Sequence, residues 1–92
     1  MVAIGQRLTG TVTLVPIPGR VGIFIDLGLD REGFVDVLRL PDDPDMWPVV
    51  GTETEFEVVA FSPAGAIRLR PVDPRYLNLR GDALLRPHEP RA

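Results

Sequence analysis

Side chains that could carry out acid–base or nucleophilic catalysis are few in this sequence. His88 is the one histidine, it stands between Pro87 and Glu89 near the C-terminus, and there is no cysteine. The chain contains neither a glycine-flanked serine elbow nor a glycine-rich phosphate loop. Its many carboxylates are not accompanied by a pattern that predicts an apolar cleft. We therefore expect a protein that is not an enzyme and uses neither a cofactor nor a small-molecule substrate.

The segment DDPD, residues 42–45, is the one cluster of residues that invites a metal-site interpretation. It lacks the central glycine and the distal glutamate of a calcium-binding loop. We interpret it as a solvated acidic loop, and the sequence predicts no metal site.

Composition indicates one small domain with many loops. The 92 residues are 45% hydrophobic and 25% charged, they include ten prolines, and the net charge is −3. The N-terminus, MVAIGQRL, has no basic region followed by an apolar one, and no window of about 18 apolar residues occurs. Together with the absence of cysteine, this leads us to expect a cytoplasmic protein without a membrane span.

Five short stretches have the alternation of β-strands. They cover residues 8–14, 20–27, 34–37, 52–61 and 66–70, separated by proline- and glycine-rich turns. We expect Leu8, Val12 and Leu14 to share the inner face of the first strand, and Val21 to share the inner face of the second with Ile23. The last two strands form a hairpin that places Glu57 opposite Arg70 and diagonal to Arg68. We therefore expect both arginines to be neutralised and to form a paired solvent face, not a nucleic-acid contact. Residues 39–51 form an irregular crossover. The class is all-β, and the architecture is a small five-stranded Greek-key barrel of the OB type with a short C-terminal extension.

The ordered set of glycines and strands resembles the S1 RNA-binding domain family. The resemblance covers residues 5 to about 72 and consists of Gly5-x-x-Leu8-x-Gly10-x-Val12, Gly22-Ile23-Phe24-Ile25-Asp26-Leu27, Gly33-Phe34-Val35, Val50-Gly51, Phe56-x-Val58 and Gly65-x-Ile67-Arg68-Leu69. It implies an S1-like barrel over residues 1–72. Residues 73–92 form an extension that we expect to be partly docked and then disordered beyond Pro87, with a helical turn over residues 75–79 that Gly81 ends.

The same resemblance implies a surface that stacks bases on aromatic side chains. The family places two aromatics on strand two, a histidine on strand three, and an aspartate and a basic residue around the last hairpin. The matching positions here are Val21, Phe24, Asp36, Ser62 and Ala66. Phe24 alone retains the family's residue type, and Asp36 puts a carboxylate where the family has histidine.

Two functions remain open at this point. In the first, the chain is a stand-alone module that binds single-stranded RNA weakly or conditionally through Phe24, Arg20, Arg31 and Arg39. In the second, the barrel binds a protein partner and no RNA, through its acidic face, the Trp47 loop or the apolar C-terminal segment. The large aromatics would serve that second function if exposed; we expect Trp47 to close one end of the barrel and Tyr76 to dock on it.

Overall fold

The computed structural model describes residues 2–90 as a closed five-stranded barrel followed by a short helix. The strands are β1 (Arg7–Leu14), β2 (Gly22–Asp26), β3 (Gly33–Asp36), β4 (Glu53–Phe61) and β5 (Ile67–Pro71), and the helix is α1 (Leu79–Leu85). The strand order is β1-β2-β3-β5-β4, with β4 pairing back to β1. All pairings are antiparallel except β3 with β5. The prediction of an all-β, five-stranded OB-type barrel is confirmed.

The core is built from the alternating inward positions of the strands. The buried hydrophobic residues include Val12, Ile23, Ile25, Val35, Phe56, Val58, Ile67 and Leu69. In the β4–β5 hairpin Glu57 lies opposite Arg70 and Val58 opposite Leu69, as predicted. Next to the loop, however, Phe61 pairs with Ile67, and an irregularity between Val58 and Ala60 restores the predicted register. Because one face of every strand must fill this interior, the neighbouring residues of each strand are presented to the outside.

The predicted inward faces of the first two strands are wrong at Leu14 and Val21. Leu14 is 51% exposed and Val21 is 52% exposed. The register between β1 and β2 shifts after Val12, which turns Leu14 outward. Val21 precedes β2 with a φ of 62°, a left-handed conformation that a β-branched residue rarely adopts. The next residue, Gly22, lies so close to β3 that a Cβ there would overlap the carbonyl oxygen of Val35.

The crossover between β3 and β4 contains two 3₁₀ turns, Val37–Arg39 and Pro44–Met46. The Asp36 carboxylate accepts a hydrogen bond from the amide of Leu38 at 2.9 Å and so caps the first turn. Trp47 is buried among the core residues, and its indole N–H donates to the carbonyl of Pro41 at 2.7 Å. Trp47 therefore presents no exposed anchor to a partner.

The C-terminal segment differs from the sequence-based prediction. The predicted helical turn over residues 75–79 is not formed as a helix. Helix α1 instead begins at Leu79 and contains Gly81, and the side chain of Asn78 caps it by accepting from the Gly81 amide at 3.1 Å. Gly81 is needed for packing, because a Cβ at this position would overlap the backbone carbonyl of Leu38. A 3₁₀ turn, Arg86–His88, follows, and Glu89 contacts Arg39. The tail beyond Pro87 was expected to be disordered. Its last two residues, 91 and 92, lie outside the described residues. Within residues 2–90 no helix has the length and apolarity needed to cross a membrane.

Candidate nucleic-acid interface

Four neighbouring strands each contribute one outward residue to a row across the barrel, which we call the aromatic row. It consists of Leu14, Phe24, Phe34 and Arg68. Leu14 lies opposite Phe24, Phe24 opposite Phe34, and Phe34 beside Arg68. These residues face out because their chain neighbours, such as Ile23, Val35 and Leu69, are fully buried.

The two phenylalanines of the row form a contacting pair. Their ring centroids are 5.2 Å apart and the ring planes are inclined by 53°. Such tilted pairs contribute about 0.5–1.5 kcal/mol beyond the area they bury. Both side chains are half-buried, so each ring keeps part of its surface open to solvent. The arrangement is a fixed pair of aromatic surfaces of the kind on which unstacked bases pack.

Three arginines around the row are free of ion pairs within residues 2–90: Arg20, Arg31 and Arg68. Arg20 lies in the β1–β2 loop and Arg31 in the β2–β3 loop, both exposed, while Arg68 is half-buried on β5. An unpaired guanidinium can donate to phosphate or stack on a base. Among the described residues, the row therefore contains one unpaired cation, Arg68, and the loops at the two ends of β2 carry the other two.

Arg39, the fourth arginine considered from sequence, does not belong to this surface. Its side chain is 2% exposed, and its Nε donates to Oδ1 of Asp82 at 2.7 Å. The two terminal nitrogens of the same guanidinium donate to the carboxylate of Glu89. Burial disfavours the charged form, but the hydrogen bonds that Arg39 donates to Glu89 and Asp82 outweigh that effect and raise the pKa of Arg39. All its polar atoms serve to attach the C-terminal segment.

Asp82 is the centre of this attachment and accepts hydrogen bonds from three arginines. Besides Arg39, Arg70 donates at 2.8 and 3.1 Å and Arg86 at 2.9 Å. Burial would raise the pKa of Asp82, but the hydrogen bonds from Arg70, Arg39 and Arg86 hold it well below the usual range. The expectation that Glu57 neutralises Arg70 is thus wrong. The backbone register is as predicted, yet the guanidinium turns to Asp82, and Glu57 pairs with Arg7 at 3.5 Å.

Carboxylates also surround the aromatic row. Asp26, Asp30 and Glu32 are exposed on β2 and the loop that follows, and Asp36 is half-buried on β3. Asp26 accepts from the amide of Gly28 at 2.8 Å, so it has a structural role in the turn, as Asp36 does in the crossover. Residues 2–90 bring together no three His, Asp or Glu side chains that could hold a metal ion. The surface is mixed in sign instead of uniformly basic.

Three solved structures with the same fold are compared with this chain. The first is GSP13 from Bacillus subtilis, with 25% identity and a TM-score of 0.65 over 77% of this chain and 56% of that one. The second is in the a/eIF2alpha-aDim2p-rRNA complex from Pyrococcus horikoshii OT3, with 15% identity and a TM-score of 0.66 over 91% and 51%. The third is described as an exosome complex RNA-binding protein, with 22% identity and a TM-score of 0.63 over 82% and 45%. No protein-family model and no curated protein matches the sequence.

The chain is an S1-like OB barrel. It spans about half the length of these structural neighbours, so the likeness concerns one barrel and not their whole architecture. This fold agrees with the resemblance to the S1 family that the pattern of glycines and strands indicates.

Three of the four substituted family positions make contacts that shape the loops of this S1-like barrel. The Ser62 hydroxyl accepts from the amide of Ala66 at 3.0 Å and so closes the β4–β5 loop. Asp36 caps the crossover turn, whereas Val21 precedes β2 with a left-handed φ. Sequence reasoning missed Phe34 as a member of the surface, although its outward parity next to Val35 was an available signal. The prediction that Arg68 is neutralised by Glu57 is wrong, because Arg68 forms no ion pair within residues 2–90 and Glu57 pairs with Arg7. The parallel β3–β5 pairing that brings Arg68 beside Phe34 joins segments that are distant in sequence.

Proposed function

We propose that this chain is a single-stranded RNA-binding module of modest affinity that uses the aromatic row. The observation that carries the proposal is the half-exposed Phe24–Phe34 pair next to Arg68, which has no ion pair within residues 2–90. Base–aromatic stacking contributes about 1–3 kcal/mol per base. Arg68 then extends the row as a further stacking plane or a phosphate donor.

The structural neighbours support a nucleic-acid role for this fold. One of them is in a complex that contains rRNA, and another is described as an exosome complex RNA-binding protein. Both descriptions name RNA, and we infer a binding function of the same kind for this chain.

The affinity should be modest because few cations are available. Arg20, Arg31 and Arg68 are the cations beside the row, and Asp26, Asp30, Glu32 and Asp36 oppose them. Three phosphate contacts on a single strand correspond to a salt slope of about −2. Stacking, which depends little on salt, would supply the larger share of the binding energy.

Fluorescence anisotropy with short labelled single-stranded RNAs across a salt series tests the proposal. Phe24→Ala and Phe34→Ala should each weaken binding by about 1–3 kcal/mol, while Tyr76→Ala, which removes an aromatic ring outside the row, should leave it unchanged. Asp36→Asn keeps an oxygen for the cap but removes the charge, and it should raise affinity. Absence of binding at low salt, or equal loss in all three aromatic variants, would refute the role of the row.

A protein-binding function is favoured by a separate set of residues. Exposed apolar side chains gather on the β1–β2 loop and the crossover, with Ile17 at 49%, Met46 at 57%, Val49 at 71% and Val50 at 58% exposure. The two loops adjoin, since Val15 and Pro18 line one hollow together with Val49 and Val50. Adjacent exposed apolar residues of this kind mark interaction surfaces.

RNase-treated affinity capture with the wild type and a V49S/V50S variant tests this second function. A protein retained by the wild type and lost with the variant would support it. Identical captures with both forms would remove these loops from consideration.

A further inference from the structure

A groove opens at one end of the barrel between the β2–β3 loop and the β4–β5 hairpin. Its volume is about 530 Å³, and it is lined by Val2, Leu29, Asp30, Arg31, Phe61 and Ile67. This volume lies within the roughly 300–1,000 Å³ of small-ligand sites. Ile67 is buried, whereas Phe61 is 39% and Leu29 44% exposed. The groove thus has apolar sides and two opposite charges.

The groove continues the aromatic row. Ile67 pairs with Gly33 on one side and with Phe61 on the other, and the next residues along β3 and β5 are Phe34 and Arg68. One residue along a strand is about 3.3 Å. A nucleotide next to one that stacks on Phe34 can therefore place its base at the groove.

The charged residues of the groove match the edges of guanine. Asp30 and Arg31 are exposed neighbours, and neither forms an ion pair within residues 2–90. A carboxylate only accepts hydrogen bonds and a guanidinium only donates them. Guanine has two adjacent donors, N1–H and N2–H₂, on its Watson–Crick edge, and two adjacent acceptors, O6 and N7, on its Hoogsteen edge, with O6 next to N1–H. Uracil instead has one donor between two acceptors, which a carboxylate repels.

We propose that this groove is a guanine-binding subsite of the RNA surface. Asp30 accepts from N1–H and N2–H₂ of the base, Arg31 donates to O6 or N7, and Phe61 packs on the ring. The subsite rests on the proposed RNA-binding function, and it adds a base preference to a surface whose stacking alone is tolerant of sequence.

Anisotropy titrations with an eight-nucleotide oligouridine and the same RNA carrying one central guanine test the subsite. The wild type should bind the guanine-containing RNA about fivefold more tightly, the low end for one bidentate contact at an exposed site. In Asp30→Asn the two RNAs should bind with equal affinity, so that the ratio of their affinities falls to about one. Because the substitution also removes a negative charge and so strengthens binding to all RNA, the ratio is the readout. Glu32→Gln makes the same change of charge outside the groove and should keep the ratio. Phe61→Ala, a second variant, should reduce it.

The possible outcomes separate the two proposals. If neither RNA binds at low salt, both fail. If both bind equally while Phe24→Ala still weakens them, the RNA-binding function stands and the subsite is overturned. A guanine preference that survives Asp30→Asn overturns the assignment to Asp30. Saturable binding of GMP alone, tighter than that of the guanine-containing RNA, would overturn the subsite as part of an RNA surface in favour of a free-nucleotide site.

Discussion

Replacing Asp82 should be among the most damaging single changes outside the hydrophobic core. Its side chain is 3% exposed and receives hydrogen bonds from Arg39, Arg70 and Arg86. In Asp82→Asn the amide keeps one acceptor oxygen but loses the charge, and its NH₂ group faces guanidinium donors. Arg39, itself 2% exposed, then retains Glu89 as its one carboxylate partner among the described residues.

The size of the effect follows from the burial of the pair. Removing one partner of a buried ion pair costs about 3–5 kcal/mol, because the other charge stays buried without compensation. We take the lower end, about 3 kcal/mol, since Arg39 keeps Glu89. A domain of this length has a total stability of about 5–14 kcal/mol. With an m-value of about 1.5 kcal/mol/M, the urea midpoint should fall by about 2 M.

Urea unfolding monitored by Trp47 fluorescence measures this directly. Asp73→Asn is the matched control, because Asp73 also accepts hydrogen bonds from an arginine, Arg75, but that pair lies at the surface, where the Arg75 side chain is 74% exposed. Its midpoint should be close to that of the wild type. If Asp82→Asn shifts the midpoint no further than Asp73→Asn, the buried network does not stabilise the fold and the reasoning is wrong.

Three further predictions concern the same fold. The pKa of Asp82 is lowered in the folded state. The stability that its ionised form contributes is therefore complete above about pH 4, the pKa of the unfolded chain, and is lost as the pH falls below that value. Urea midpoints measured from pH 6 to pH 2 should accordingly fall less steeply in Asp82→Asn than in the wild type. Gly81→Ala, which usually favours a helix, should instead destabilise by about 1–3 kcal/mol because the new Cβ meets the Leu38 carbonyl, and a stability equal to the wild type would contradict that close approach. Val21→Gly should raise the thermal midpoint by a few degrees by relieving the left-handed φ, and a lowered midpoint would count against strain at this site.

The barrel itself could be predicted from the sequence because its signals are local. Alternating apolar residues such as Val58 and Leu69 identify strands, and the short loop between β4 and β5 identifies them as a hairpin. The inward faces predicted from the alternation are wrong at Leu14, where the register shifts, and at Val21, where φ is positive. Such irregularities depend on the neighbouring strand, so one strand's own sequence does not reveal them.

The C-terminal segment could not be predicted because its contacts join residues that are far apart in the sequence. Gly81 has a low helix propensity, and the local pattern favours a break there. The structure overrides this preference because only glycine allows α1 to approach the Leu38 carbonyl. Arg39 and Asp82 are 43 residues apart in sequence, and nothing in either neighbourhood indicates that they meet. Arg39 consequently looked like a surface cation when it is an interior one.

This network also determines which cations remain for a ligand. Arg70 lies two residues beyond Arg68 on β5, and strand periodicity places both on the outward face. The guanidinium of Arg70 pairs with Asp82 and is therefore not available to a ligand on that face. The guanidinium of Arg39 is likewise unavailable, because it pairs with Asp82 and Glu89. The number of arginines in the sequence therefore overstates the positive charge available beside the aromatic row. For this reason, the proposed binding of RNA should depend more on Phe24 and Phe34 than on phosphate contacts.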